Sequence, residues 1–256
     1  MTTRAGDGIP GTARESAADD ALSAGAPLGP REQALWTAQL RAEALFAEVI
    51  DRGLVRPGVL ESELNEEIRA LALSRYGVKR HWHRRVVRSG PNTVLTYYDD
   101  PADRRLEADD VVYLDFGPVF EGWEADLGRT YVLGDDRRKA RLVSDIGDAF
   151  ARGQALYDAR PDLTAGELYD FVAALATTAG WQFGAATAGH IIDGFPHDRA
   201  PPHGESYSIR SGNPIRLHAP FDDGRPRHWI LEIHFVDRER RYGGFLEELL
   251  TVRGPR

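Results

Sequence analysis

Apolar side chains recur at helical spacing in four stretches of this chain and alternate with polar ones in two others. Residues 31–52 carry Trp36, Leu40, Ala44 and Ala47 on one helical stripe, and Gly53 and Pro57 end the run. A second helix is predicted from Leu60 to Tyr76, with Leu60, Leu64, Ile68 and Leu71 together and Gly77 behind them. The stretch VVYLDFGPVFEGWEADLGRTYVL, residues 111–133, alternates as strands do. The same order then returns. A helix over 137–159 precedes one opening at Thr164, where Thr164 and Glu167 have capping-box spacing, and this second helix ends at Gly180. Its face carries Leu168, Phe171, Val172 and Leu175, and two late strands follow at 229–236 and 244–252.

Helix, helix, hairpin, twice over, predicts an α+β protein of two similar halves whose strands join one mainly antiparallel sheet backed by helices. Residues 1–29 are rich in small and polar types, without an apolar run, and read as a disordered tail ahead of a single catalytic domain over 30–256. The Pro-, Gly-, Arg- and Asp-dense segment 198–227 reads equally as a lid or substrate loop and as a loose surface insertion.

Within 111–133 the alternation specifies a register. A two-residue turn at Glu121 and Gly122 pairs Phe120 with Trp123 and sets Asp115 opposite Gly128. Asp126 then lies diagonal to Asp115 on the same face, a separation of about 7–8 Å between Cα atoms that lets two carboxylates converge on one ion. The other face carries Val112, Leu114, Phe116, Pro118, Phe120, Trp123, Ala125, Leu127 and Tyr131, with Arg129 its one charge. Two carboxylates on one buried face raise each other's pKa unless a cation neutralises them. From the hairpin alone, pairing with a nearby arginine, or exposure of that face, accounts for them as well as a metal does. In the second strand pair Glu232 and His234 share a face, and Glu247 sits on the neighbouring strand, where adjacent Phe245 and Leu246 leave the alternation ambiguous.

Composition narrows the chemistry. The 256 residues include no cysteine, so disulfides, thiolate nucleophiles and thiolate zinc sites are excluded and any metal must sit on carboxylate and imidazole. The net charge of −8 gives no electrostatic reason to expect nucleic acid or an anionic membrane as partner, and no segment approaches the roughly 20 apolar residues that span a bilayer. A cytoplasmic location is the default expectation. Neither G-x-S-x-G nor H-E-x-x-H occurs.

Five segments together resemble the pita-bread metallopeptidases, the family of methionine aminopeptidase, Xaa-Pro dipeptidase, aminopeptidase P and creatinase. YLDFGPVFEGWEADLGRTYVLG is similar to the hairpin with two aspartate ligands, matched by Asp115 and Asp126. GHIIDGFPH resembles the stretch with the histidine ligand, His190, and a second histidine, His197. WILEIHF and FLEELLTV resemble the two glutamate strands, matched by Glu232 and Glu247, and SGPNTVL resembles the loop before the first hairpin. The resemblance implies two divalent ions, manganese first with cobalt, iron or zinc as alternatives. It implies Asp115 and Glu247 as bridges, a metal-bridging hydroxide as nucleophile, Glu232 as proton carrier and His197 as hydrogen-bond donor to the oxyanion.

Four departures concern the substrate. Tyr97 stands where the family's loop carries a substrate-facing histidine, Ile191 follows the ligand histidine, Asp198 follows His197, and His234 falls two residues after Glu232. Tyr97 and His234 are therefore candidate substrate contacts. So is His83, from the basic cluster Lys79 to Arg85, whose guanidinium groups match a substrate carboxylate. The bland reading of that cluster is a solvated edge. The leading expectation is hydrolysis of a short peptide or dipeptide of the Xaa-Pro type. A creatinase-like enzyme acting on a non-peptide amide or C–N bond is the second reading, and a non-catalytic binding protein the third. A homodimer is the default assembly.

Overall fold

The computed structural model describes residues 28–197 and 207–254. The expected tail, apart from Leu28 and Gly29, and the first part of the 198–227 segment, Asp198 included, lie outside the described residues.

Each half opens with two helices. Helices α1 (Pro30–Asp51) and α2 (Glu61–Tyr76) precede strands β1 (Val86–Ser89), β2 (Val111–Phe116), β3 (Val119–Phe120), β4 (Trp123–Glu124) and β5 (Leu127–Val132). Helices α3 (Arg137–Ala159) and α4 (Ala165–Ala179) precede β6 (Gln182–Phe183), β7 (Ile230–Asp237) and β8 (Tyr242–Leu249). The main sheet runs β1-β2-β5-β8-β7-β6, all neighbours antiparallel, so the second half repeats the first in mirrored strand order about the β5–β8 seam.

Two cores back this sheet, one per half. Leu45, Phe46, Leu64 and Ile68 of α1 and α2 pack with Leu114, Phe116 and Leu127. Leu142, Ile146, Leu168 and Val172 of α3 and α4 pack with Leu231, Ile233 and Phe235. In α1 the buried stripe is Leu35, Ala38, Ala42, Leu45, Phe46 and Val49, with Trp36 beside it, whereas Ala44 and Ala47 of the predicted stripe are exposed. The larger apolar groups on the adjacent face remove more area from water than two alanines can, and they set the helix's rotation. The capping box at Thr164 forms as expected: Glu167 N donates to Thr164 Oγ1 (3.2 Å) and Thr164 N donates to Glu167 Oε2 (2.9 Å).

The hairpin register holds along its length, with Phe120 paired to Trp123 and Asp115 to Gly128. Positive φ at both Glu121 (53°) and Gly122 (87°) gives the tight turn whose twist suits a hairpin. The tip nevertheless leaves the main sheet: β3 and β4 form a separate two-stranded ribbon, because Pro118 has no N–H to continue the ladder. Arg129, the one charge on the apolar face, is paired. It pairs with Glu248 at 2.5 Å and donates to the Glu247 carbonyl at 3.0 Å. Within the described part of the 198–227 segment, residues 207–217 are packed down, with Tyr207, Ile209, Ile215 and Leu217 buried in the second core, whereas 218–227 are mostly exposed. No helix among the described residues is long and apolar enough to cross a membrane.

Candidate metal centre

Sheet register brings the acids together. One row across four strands reads Asp115, Gly128, Glu247, Glu232, with Gly128 the spacer that lets Glu247 lie close to β2 and β5. Asp126 precedes β5 on the same side, and His190 reaches the row from a segment hydrogen-bonded along β7, where Ile230 N donates to His190 O at 3.0 Å. All five expected ligands therefore line one cavity of about 410 Å³, a volume suited to a small-molecule or dipeptide ligand.

Two sets of donor atoms lining this cavity each lie within 4.8 Å of one another: His83, Asp115 and Asp126, and Asp126, His190 and Glu247. Asp126 is common to both sets. His190 Nε2 stands 3.5 Å from Asp126 and 3.8 Å from Glu232. His83 Nε2 stands 3.1 Å from Asp126 and 3.5 Å from Asp115.

Burial decides the electrostatics. It pushes Asp115 up to about 7 against the opposing pull of His83, and it raises Glu232 and, further still, Glu247, with the neighbouring carboxylates adding to the rise. Asp126 resists the same burial and stays below the ordinary carboxylate range because His83 and His190 hold its charge. Burial would lower His83, yet Asp126 and Asp115 raise it to about 9. Four carboxylates with two imidazoles, no thiolate, and a charge that burial penalises are a donor set that fits a pair of divalent cations.

His197 lies in the wall beside this group. Its Nδ1 makes a short hydrogen bond to Glu124 Oε2, and its backbone N donates to Glu124 Oε1 at 3.2 Å. Glu124 is 1% exposed and had no role in the sequence reading. Its one signal was an acid left on the hairpin two residues before Asp126. Trp82 was likewise unassigned. Its indole presents edges to His83, His190 and His197, with centroids 4.5, 5.1 and 5.1 Å away, and Nε1 donates to Ala125 O. So the Lys79–Arg85 cluster is divided: Trp82 and His83 turn into the cavity while Arg84 stays exposed.

The loop after β1 is fastened from below. Ser89 N and Oγ donate to Glu61 Oε1 and Asn92 Nδ2 donates to Glu61 Oε2. Tyr97 lines the cavity, and its hydroxyl accepts from Arg84 N at 3.2 Å. His234 also lines it, but Nε2 donates to Thr93 O at 2.9 Å, and burial lowers its pKa to about 4. It is a neutral ring tying the loop to β7.

A duplicated α+β sheet carrying carboxylates and imidazoles at the centre of its two halves is the pita-bread fold. The profile of Metallopeptidase family M24 matches residues 33–221, and the chain belongs to that family. It is 28% identical over 177 residues to an Xaa-Pro dipeptidase of Lactobacillus helveticus, covering 69% of this chain and 46% of that protein, so it spans about half the length of such curated relatives. Among solved structures it superposes on an Xaa-Pro dipeptidase from Bacillus anthracis with a TM-score of 0.69 at 21% identity, covering 90% of this chain and 62% of that one. A methionine aminopeptidase from Rickettsia prowazekii gives 0.64 at 18% identity, covering 84% and 90%. These two likenesses concern the fold.

Proposed function

We propose that this chain is a dinuclear metal-dependent hydrolase of short peptides, of the Xaa-Pro dipeptidase type. The observation that carries the reading is the pair of donor sets joined through Asp126 in one cavity. Asp115, Asp126, His190, Glu232 and Glu247 would hold the ions, with Asp126 belonging to both donor sets, Glu247 to the set with His190, and Glu232 3.8 Å from His190. The ions, when bound, supply Lewis acidity, which activates water near neutral pH and polarises a carbonyl. Glu232 carries the proton from the attacking water to the leaving amine. His197, held by Glu124, donates a hydrogen bond from Nε2 to the carbonyl oxygen as charge develops there. Trp82 walls the donors off from water on one side. Manganese is the first expectation for the ions, a cytoplasmic single catalytic domain over 30–256 for the setting, and a homodimer for the assembly.

The second reading, a non-peptide amide or C–N substrate, is favoured by Tyr97. A phenol lining the cavity offers a single hydroxyl as hydrogen-bond donor and acceptor, where an imidazole would offer two ring nitrogens. The test is elemental mass spectrometry on wild type and Asp115→Asn purified without chelators, followed by turnover of Xaa-Pro dipeptides and of non-peptide amides. Near two ions per wild-type chain, fewer in the variant, and dipeptide turnover support the first reading. Two ions with amide turnover alone support the second. Absence of metal after manganese or cobalt is added back refutes both.

A further inference from the structure

We propose that His83 is a protein ligand of the ion held by Asp115 and Asp126, so that each of the two ions has one imidazole. The inference rests on the dinuclear reading above and departs from the substrate-contact role that the sequence suggests for this residue.

His83 is set as His190 is set. In both rings Nδ1 lies 2.7 Å from the carbonyl oxygen of the next residue, Arg84 or Ile191, so Nδ1–H donates and the ring is fixed with Nε2 toward the acids. A backbone carbonyl on the far nitrogen is the arrangement that fixes tautomer and orientation in ligating histidines. His83 is also the more enclosed of the two, its side chain 8% exposed against 27% for His190.

Spacing agrees. Ligand atoms about 2.1 Å from a common ion stand about 3.0 Å apart along an octahedral edge and about 3.4 Å apart along a tetrahedral one. The separations from His83 Nε2, 3.1 Å to Asp126 and 3.5 Å to Asp115, fall on those edges. His81, two residues away, is turned elsewhere: its ring packs edge-on against Phe116. Trp82 separates the two and braces His83 from one side, and the Tyr97 ring meets it from another at 5.8 Å.

A consequence follows for the ion. An imidazole among the donors of the Asp115 side favours borderline ions such as cobalt, zinc or iron over manganese there, relative to a set of oxygens alone. The Asp115 side and the His190 side become alike in donor type.

The test uses the untagged full chain, stripped with chelator and titrated with Co²⁺ by calorimetry and by visible absorption. Wild type is expected to take up two ions, His83→Ala to lose at least tenfold in affinity at one of them, with a changed Co²⁺ spectrum, and His190→Ala to weaken the other. His83→Gln serves the same purpose should the alanine variant not fold, and imidazole added to His83→Gly is expected to restore the lost affinity. Two ions bound to His83→Ala or His83→Gln with wild-type affinities and spectrum, while His190→Ala loses one, would overturn the proposal and leave the dinuclear reading intact. No Co²⁺ uptake by wild type would overturn both.

Discussion

Replacing Gly128 by alanine tests whether the row of acids depends on its spacer. A Cβ there would lie 2.5 Å from Cδ1 of Phe245 and 2.9 Å from Cβ of Glu247, against an ordinary carbon contact of about 3.5–4.0 Å. The neighbours must therefore give way by roughly 1 Å. Phe245 is closed in by Tyr113 and His234, with centroids 5.5 and 6.1 Å away, so its ring moves toward the cavity and Glu247 moves with its strand. Overpacking of this kind costs about 1–3 kcal/mol, and each kcal/mol lowers Tm by about 2–4 °C in a domain of this size. A fall in Tm of about 2–12 °C in chelator is expected in scanning calorimetry. On the proposed metal reading a larger fall is expected in Co²⁺ or Mn²⁺, because displacing Glu247 would also weaken ion binding that stabilises the folded state. In a Phe245→Ala background the Gly128→Ala substitution should cost less than it does alone, since the two side chains share one volume. Unchanged Tm in both conditions, with unchanged metal affinity, would refute the claim that Gly128 is needed to bring Glu247 to the centre.

Thr130→Val should cost about 1–3 kcal/mol in chemical denaturation, because Thr130 Oγ1 accepts from Phe245 N at 2.6 Å and donates to Phe245 O at 2.7 Å, and valine leaves both groups without that partner. Gly147→Ala, at an exposed position of α3 where a new Cβ meets nothing within 4 Å, should gain about 0.5–1 kcal/mol in the same assay. Glu124→Gln should leave metal content unchanged and lower kcat about 10–100-fold on whichever substrate the wild type turns over, since it removes the carboxylate that orients His197. Equal kcat would remove Glu124 from the machinery. Burial, and then the Arg31 guanidinium, hold His228 below the usual histidine pKa. The unfolded chain therefore takes up its proton first, so the stability His228 contributes is present above about pH 6.5 and is lost as pH falls. His228→Asn should flatten the unfolding free energy over that acid range, and an unaltered slope would count against the assignment.

Much of this arrangement was written in local pattern. The hairpin register needed only a turn at Glu121 and Gly122 and the two-residue period, and it placed Asp115 against Gly128 as found. What the pattern lacked is also specific. Strand β1 is buried at all four positions, so it shows no alternation, and β6 has only two residues. Tyr207 and Ile209, and Ile215 and Leu217, alternate with polar residues only over two three-residue stretches separated by glycine and proline, too short to mark them as core. Alternation puts Asp115 and Asp126 on one face but cannot tell which donors each of them meets across the two halves. That depends on how the second half docks. The same docking brings His197 to Glu124, two residues 73 positions apart that no local signal connects.

The join between the halves has a mechanical meaning. Strands β2 and β5 are registered from Val111 to Phe116, and β7 and β8 from Ile230 to Asp237, but among the described residues β5 and β8 are registered only at Gly128 and Glu247. Thr130 and Arg129 supply further stitches through side chains. Asp115 and Asp126 stand on one side of this line, and His190, Glu232 and Glu247 on the other. On the proposed dinuclear reading, an ion gripped from both sides would rivet the seam that has the fewest registered pairs. Chelation would then loosen the protein along a line before it loosened either half, and amide exchange should spread outward from β5 and β8 while the outer hairpins stay closed.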